Sequence, residues 1–129
     1  MNGGAVLYVK HLDRMRRFYS ECCALRTAET TDAYCVLESD AWTLSLVAVP
    51  DELAATIQLA DPARARDDVP VKLAFGVRSI DDLRVLVSQL GGQIDPGSAP
   101  WDFKGLRHCD VVDPEGNIIQ LRAPLAGQA

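Results

Sequence analysis

The chain has 129 residues, of which 48% are hydrophobic and 24% are charged, and its formal net charge is −5. This length suits one domain with a substantial core, and no apolar run approaches the roughly 20 residues of a membrane span. The acidic balance argues against a nucleic-acid surface, which needs clustered Lys and Arg, and the first residues lack the pattern of a secretory signal. We therefore expect a cytoplasmic protein that contacts neither nucleic acid nor membrane.

The first half of the chain predicts the order strand, helix, strand, strand, strand. Residues 5–10 are a β-rich run, and strand candidates follow at 27–31, 33–38 and 43–49. Between them lies an apolar stripe with helical spacing, formed by Leu12, Met15, Phe18, Tyr19 and Cys22. Residues 51–70 contain Asp61-Pro62 and a mixed charge cluster, and they predict a linker with a short turn of helix or strand at 52–59.

The second half predicts the same order. A strand at 71–77 precedes a helix that Ser79 and Asp82 start with a capping box and that Gly91-Gly92 ends. Strand candidates follow at about 92–95, 106–112 and 117–122, with a turn at 113–117. The helical stripe, formed by Ile80, Leu83, Leu86, Val87 and Leu90, lies 68 positions after the stripe of the first half.

The two halves are therefore a duplication. The segment from Glu38 to Leu46 also has the layout of the segment from Asp113 to Leu121, shifted by 75 positions. A duplicated half-domain builds its pocket between the halves, and we expect function there. The cysteines, which we expect to be buried reduced thiols, show no zinc-site spacing: Cys22, Cys23, Cys35 and Cys109.

Three segments together resemble the vicinal oxygen chelate superfamily, the group of glyoxalase I, bleomycin resistance proteins and extradiol dioxygenases. They are residues 6–13 followed by Phe18-Tyr19, residues 72–77 followed by Ile80-Asp81, and residues 113–121. The resemblance implies an α+β fold, in which two tandem βαβββ modules form a half-open barrel around a central cavity. The whole chain would be a single domain, with module one at about 4–50, a linker at about 51–70 and module two at about 71–125.

Catalytic members of this superfamily hold a divalent metal through His, Glu or Gln on the first and last strands of each module. The resemblance carries those four sites onto Gly4, Ser45, Lys72 and Gln120. Glycine offers no side chain, serine is a poor ligand and lysine is a cation. Gln120 alone could coordinate, so we expect no metal and no other cofactor.

His108 and Asp110 are the weak catalytic candidates. They lie two residues apart on a predicted strand and therefore on one face. A His–Asp pair facing the cavity could act as an acid–base unit, whereas a structural hydrogen-bonded pair is the alternative. His11 is interpreted as a surface or capping residue at the start of the first helix.

Strand alternation provides candidate ligand-binding residues. Lys72 and Arg122 could attract an anionic or carbonyl-bearing molecule, and Gly4 would leave room for it. Residues 101–105 resemble the mobile loop that covers the pocket in several superfamily members, although their aromatic rings could instead pack under the loop. The full candidate set is Tyr8, Trp42, Ser45, Lys72, Trp101, Phe103, Gln120 and Arg122.

The leading hypothesis is a protein that binds a small organic molecule in the inter-module cavity without a metal. The alternative is an enzyme of the same superfamily, a lyase, an isomerase or a dioxygenase, that is metal-dependent or uses His108 and Asp110 as an acid–base pair. A third possibility is a vestigial cavity in a module that works through protein contacts. The resemblance also implies a homodimer, because the edge strands of such half-barrels commonly pair across subunits.

Overall fold

The structure is a computed structural model that describes residues 3–94 and 99–125. Its contacts divide the chain between Leu59 and Ala60 into two compact units. Each unit carries one four-stranded sheet, and neither sheet closes on itself.

The first unit has the predicted order of elements. They are β1 (Gly4–Val9), α1 (Leu12–Cys22), β2 (Arg26–Thr30), β3 (Tyr34–Glu38), β4 (Thr43–Ala48) and the short α2 (Asp51–Ala54). The strands lie side by side in the order β1-β4-β3-β2, with β1 parallel to β4 and the other pairs antiparallel. The parallel pair is possible because α1 provides the crossover connection between the sheet's first strand and its later ones.

The core of the first unit lies between α1 and one face of this sheet. The helix buries four residues of its predicted stripe, namely Met15, Phe18, Tyr19 and Cys22. The strands alternate, so that Leu37, Leu44 and Leu46 are fully buried on the helix side. The other face of the sheet is left more open, and it carries the candidate residues of this unit.

The segment predicted as a linker is divided between the two units. Lys10 Nζ donates to the Ile57 carbonyl oxygen at 2.5 Å, which ties the residues after α2 to the first unit. Arg66 donates its backbone N–H to Gly116 O and its Nε to Glu115 O, each at 2.8 Å, so this part packs on the second unit. A turn of helix does form, at Asp51–Ala54.

The second unit repeats the first. Its elements are β5 (Ala74–Gly76), a 3-10 turn (Asp81–Leu83) leading into α3 (Arg84–Gln89), β6 (Trp101–Phe103), β7 (Leu106–Val112) and β8 (Ile118–Pro124). The strand order is β5-β8-β7-β6, with β5 parallel to β8. Val6 pairs with Ser45 in the first sheet, and Ala74 pairs with Gln120 in the second, so the register is also duplicated. The prediction of an α+β fold with two βαβββ modules is confirmed.

Two elements of the second unit differ from the predictions. The helix is shorter and starts as a 3-10 turn, in which Ser79 Oγ accepts the Asp82 N–H at 3.2 Å. The strand predicted at 92–95 is wrong within the described residues, where Gln93 forms only an isolated bridge to Val112; residue 95 lies outside them. The strand that pairs with β7 is β6 instead.

All four cysteines are buried free thiols, as expected. Burial raises the pKa of the Cys22 thiol to about 12 and also raises those of Cys35 and Cys109. No helix in the described part of the chain is long and apolar enough to cross a membrane.

Candidate functional site

The open face of the second sheet carries most of the candidate residues. Trp101 on β6 pairs with His108 on β7, and His108 pairs with Arg122 on β8. In the neighbouring row, Asp110 pairs with Gln120. The side chains of cross-strand partners lie on the same side of a sheet. The polar side chains of these two sets of partners are therefore close to each other and to the aromatic side chains of β6. We call this set the β6–β8 cluster: Lys72, Trp101, Phe103, His108, Asp110, Gln120 and Arg122.

His108 is engaged at both ring nitrogens. Its Nε2 lies 3.0 Å from the Phe103 carbonyl oxygen, which can only accept, so Nε2 donates. Its Nδ1 lies 3.1 Å from Gln120 Oε1. That oxygen also accepts from Arg122 Nε at 2.7 Å, so the oxygen and not the amide nitrogen of Gln120 faces the ring. Both contacts of His108 are hydrogen bonds when the ring carries both protons.

The predicted pair of His108 and Asp110 does not form a hydrogen bond in the described structure, so the acid–base role stays a prediction without a contact to support it. The two residues lie on one face of β7, as expected, but the described hydrogen bonds of His108 go to Phe103 and Gln120. The ring is only 6% exposed and stacks on the Trp101 indole, with 5.5 Å between ring centroids. A general base needs a nitrogen that can reach a substrate proton, and in this structure both ring nitrogens already lie within hydrogen-bond distance of protein oxygens.

Lys72 neutralises Asp110. Its Nζ lies 3.1 Å from Oδ1 and 2.9 Å from Oδ2, so one ammonium group contacts both oxygens of the carboxylate. Lys72 was expected on the fifth strand, but it lies two residues before β5 begins. The positive charge of Lys72 is therefore compensated by Asp110 and is not available to bind an anionic ligand.

Arg122 is the exposed cation of the cluster. Gln120 holds the guanidinium by its Nε atom. Among the described residues, neither of its terminal nitrogens has a hydrogen-bond or ion-pair partner. A guanidinium oriented through Nε keeps its outer edge available for a planar anion.

Residues 101–105 form β6 and the tight turn that leads into β7, and not an irregular loop. Phe103 pairs with Leu106, and the two residues between them, Lys104 and Gly105, have φ values of 49° and 79°. Positive φ at both central residues is the requirement of the tight turn that matches strand twist. The turn brings Trp101 and Phe103 onto the open face, where they are 38% and 56% exposed.

The candidates of the first unit are spread along its sheet. Tyr8 pairs with Val47 near one end of β4, whereas Trp42 precedes β4 in a turn at the other end. Five residue steps separate Trp42 from Val47, which corresponds to roughly 17 Å of extended strand. Tyr8 is 67% exposed, and Ser45 lies between the ends on the same face. The first sheet therefore does not bring these three residues into one cluster.

Gly4 leaves no room for a ligand, contrary to expectation. A Cβ atom at this position would overlap the Thr43 carbonyl oxygen and Oγ1. The close approach of β1 to β4 is the physical reason for glycine here, because any side chain would push the strands apart.

The donor set implied by the resemblance does not fit a metal. The side-chain space at Gly4 is filled by Thr43, Lys72 is an ammonium group bound to Asp110, and Gln120 Oε1 is engaged by Arg122 and faces His108. Ser45 would remain as a neutral hydroxyl. Within residues 3–94 and 99–125, three or more His, Cys, Asp or Glu side chains nowhere converge as a metal site would require.

A separate cleft of about 420 Å³ lies in the first unit between the start of α1 and the β2–β3 turn. Its guanidinium, Arg16, contacts Asp13 at 2.7 Å. That hydrogen bond holds the pKa of the Asp13 carboxyl below its ordinary value. Arg16 and Asp13 compensate each other, Asp32 also lines the cleft, and the sequence predicted no site there.

Sequence reasoning missed two features of the β6–β8 cluster. Leu106 lies beside Phe103 on the open face and is 37% exposed. Gly76 pairs with Arg122 and has open space where a side chain would lie. The pattern Phe103-Lys104-Gly105-Leu106, an X-Gly pair flanked by apolar residues, was the signal that could have located the hairpin.

No protein-family model matches the chain, and no curated protein matches it. Solved structures do. A glyoxalase/bleomycin resistance protein/dioxygenase family enzyme from Burkholderia phytofirmans PsJN has a TM-score of 0.70 at 18% identity, with 95% of this chain and 98% of that chain covered. A putative glyoxalase from Bacillus halodurans has a TM-score of 0.71 at 16% identity, with 96% of each chain covered.

The fosfomycin resistance protein FosX from Mesorhizobium loti has a TM-score of 0.61 at 14% identity, with 98% of this chain and 92% of that chain covered. At these identities the likeness concerns the fold alone. It agrees with the duplicated modules and the strand orders described above. The chain therefore has the vicinal oxygen chelate fold, that of the glyoxalase and bleomycin resistance structures.

Proposed function

We propose that this protein binds a small organic molecule, without a metal, on the open face of its second sheet. The observation that carries the proposal is the β6–β8 cluster, in which exposed aromatic rings stand beside an oriented guanidinium. Sites for small molecules combine apolar and aromatic surface with a few convergent polar groups. The glyoxalase and bleomycin resistance names of the structural neighbours support the same class of ligand.

The absence of a suitable donor set supports binding without a metal. At Gly4, Thr43 occupies the space that a side chain would need. Lys72 is paired with Asp110, and the Gln120 side-chain oxygen accepts a hydrogen bond from Arg122. The fourth position, Ser45, offers only a weak neutral ligand. The enzyme alternative that uses His108 and Asp110 has no comparable support, because both side chains are committed to other partners. Ligand binding is therefore the function we carry forward.

The test is a fragment-binding experiment on the full chain, purified without chelators. Planar aromatic fragments are screened by two-dimensional ¹⁵N NMR, before and after treatment with EDTA, and the metal content is measured in parallel. We expect shifts confined to the amides of β6, β7 and β8 that EDTA leaves unchanged.

The two tryptophans provide a matched control. Trp101→Ala removes an aromatic ring of the cluster, whereas Trp42→Ala removes a ring from the first unit. Only the first variant should weaken binding. Stoichiometric metal that is required for binding, or shifts that map to the first sheet, would refute the proposal.

A further inference from the structure

Apart from the His108 ring, which is itself cationic when it carries both protons, the charges of the β6–β8 cluster leave one cation uncompensated, and this cation is Arg122. Lys72 and Asp110 cancel, because both carboxylate oxygens contact the same ammonium group. Gln120 is neutral, and its oxygen accepts from Arg122. In the described structure, Arg122 thus has no anionic partner. A ligand with one negative charge complements this face, whereas a cation would meet an oriented positive group.

The guanidinium is held in a fixed orientation. A chain of contacts runs from the Phe103 carbonyl oxygen through His108 and Gln120 to Arg122, with heavy-atom distances of 3.0, 3.1 and 2.7 Å. His108 is itself clamped by its stack on Trp101. Because the guanidinium is oriented before binding, less side-chain entropy is lost when a ligand binds. Its planar group of N–H donors also matches the two oxygens of a carboxylate.

The surroundings of Arg122 differ on its two sides. Toward β5, Gly76 leaves open space, since a Cβ atom there would meet nothing within 4 Å. Toward β6, Trp101, Phe103 and Leu106 form a mainly apolar surface, and Lys104 Nζ lies over the Phe103 ring, 5.6 Å from its centroid. β7 lies between β6 and β8, so at about 4.8 Å per strand spacing the aromatic side chains and the guanidinium are roughly 10 Å apart, close to the length of two fused rings that carry a carboxylate.

We propose that the ligand is a planar aromatic molecule with a single carboxylate. Its ring lies against Trp101 and Phe103, and its carboxylate binds the terminal nitrogens of Arg122. This inference rests on the proposed function and deepens it, because it names the charge and shape of the molecule. Arg122 is accordingly the residue that determines specificity for the anion, and His108 and Gln120 are positioning residues.

The test compares two probes of equal shape and different charge, 2-naphthoate and 2-naphthamide. Binding to the full chain is measured by NMR titration at pH 7. We expect 2-naphthoate to bind roughly 10- to 100-fold more tightly, which is the usual difference between a charge-assisted bidentate contact and a neutral one.

Arg122→Gln should remove this difference, whereas the control Arg107→Gln should retain it. Arg107 lies on β7 next to His108 but on the other face, since adjacent strand residues alternate. Thermal unfolding of both variants verifies that each remains folded.

Three outcomes decide the matter. A preference for 2-naphthoate that Arg122→Gln abolishes supports the inference. Equal binding of both probes, weakened by Trp101→Ala, overturns the carboxylate assignment and leaves the proposed function intact. If neither probe binds, the inference that the ligand is an aromatic monocarboxylate is overturned. The fragment screen then tests the proposed function independently.

Discussion

Replacement of His108 by alanine distinguishes a structural role from a catalytic one. When the ring carries both protons, the side chain makes two part-buried hydrogen bonds, to Phe103 O and Gln120 Oε1, and each contributes about 1 kcal/mol. Its stack on Trp101 adds about 1 kcal/mol. We therefore expect His108→Ala to lower the free energy of unfolding by about 3 kcal/mol.

Urea denaturation followed by circular dichroism measures this loss. For a chain of this size, a loss of about 3 kcal/mol lowers the urea midpoint by roughly 1.5 M. Hydrogen exchange should show the effect locally, because β6 has three residues and, among the described strands, pairs only with β7. Amides of β6 should lose protection, while those of β3 and β4 keep theirs.

Arg107→Ala is the matched control on the same strand. Its guanidinium forms an exposed ion pair with Asp102 at 3.8 Å, and such pairs contribute less than about 1 kcal/mol. A catalytic histidine is commonly neutral or costly for stability, so its removal would not destabilise the chain. If His108→Ala shifts the urea midpoint no more than Arg107→Ala does, the structural role is refuted.

Further predictions concern backbone strain, thiol ionisation, access to Arg122 and assembly. Gly116 has φ 91°, and a Cβ atom there would lie 2.6 Å from the Arg64 carbonyl oxygen, so Gly116→Ala should cost about 2 kcal/mol in thermal unfolding. Gly105→Ala, with φ 79° and open space, should cost only about 1 kcal/mol, and equal losses would contradict the packing argument. Because burial raises the pKa of Cys22 from 9.0 to about 12, its contribution to stability is full below pH 9 and declines as the pH rises toward 12, by at most ~1.4 kcal/mol per pH unit. Between pH 9 and 11, Cys22→Ala should therefore lose less stability than the parent chain in urea titrations, and parallel losses would count against it. Gly76→Leu should leave the unfolding temperature unchanged but weaken 2-naphthoate binding at least tenfold, and unchanged affinity would place the ligand elsewhere. Light scattering should give twice the chain mass of 14.0 kDa, and a monomer would refute the expected homodimer.

The duplicated fold was predictable because its signals are local. The stripes that begin at Leu12 and Ile80 have helical spacing, and strands β3 and β4 alternate buried and more open residues with period two. Matching segments of the two halves recur at regular separations along the chain, which predicts the same strand order in both modules. The structure confirms this prediction. By contrast, β6 has only three residues, and a run so short shows no reliable period.

The sequence by itself determined the α+β fold and the duplication, because both depend on residue type and on spacing along the chain. Tertiary structure decided which polar groups meet. Lys72 and Asp110 are 38 residues apart, and they form an ion pair only because the chain before β5 and strand β7 both lie near β8. His108 bonds Gln120, and not the nearby Asp110, for the same kind of reason. Cross-strand partners are set by register between distant segments, and no local pattern contains that register.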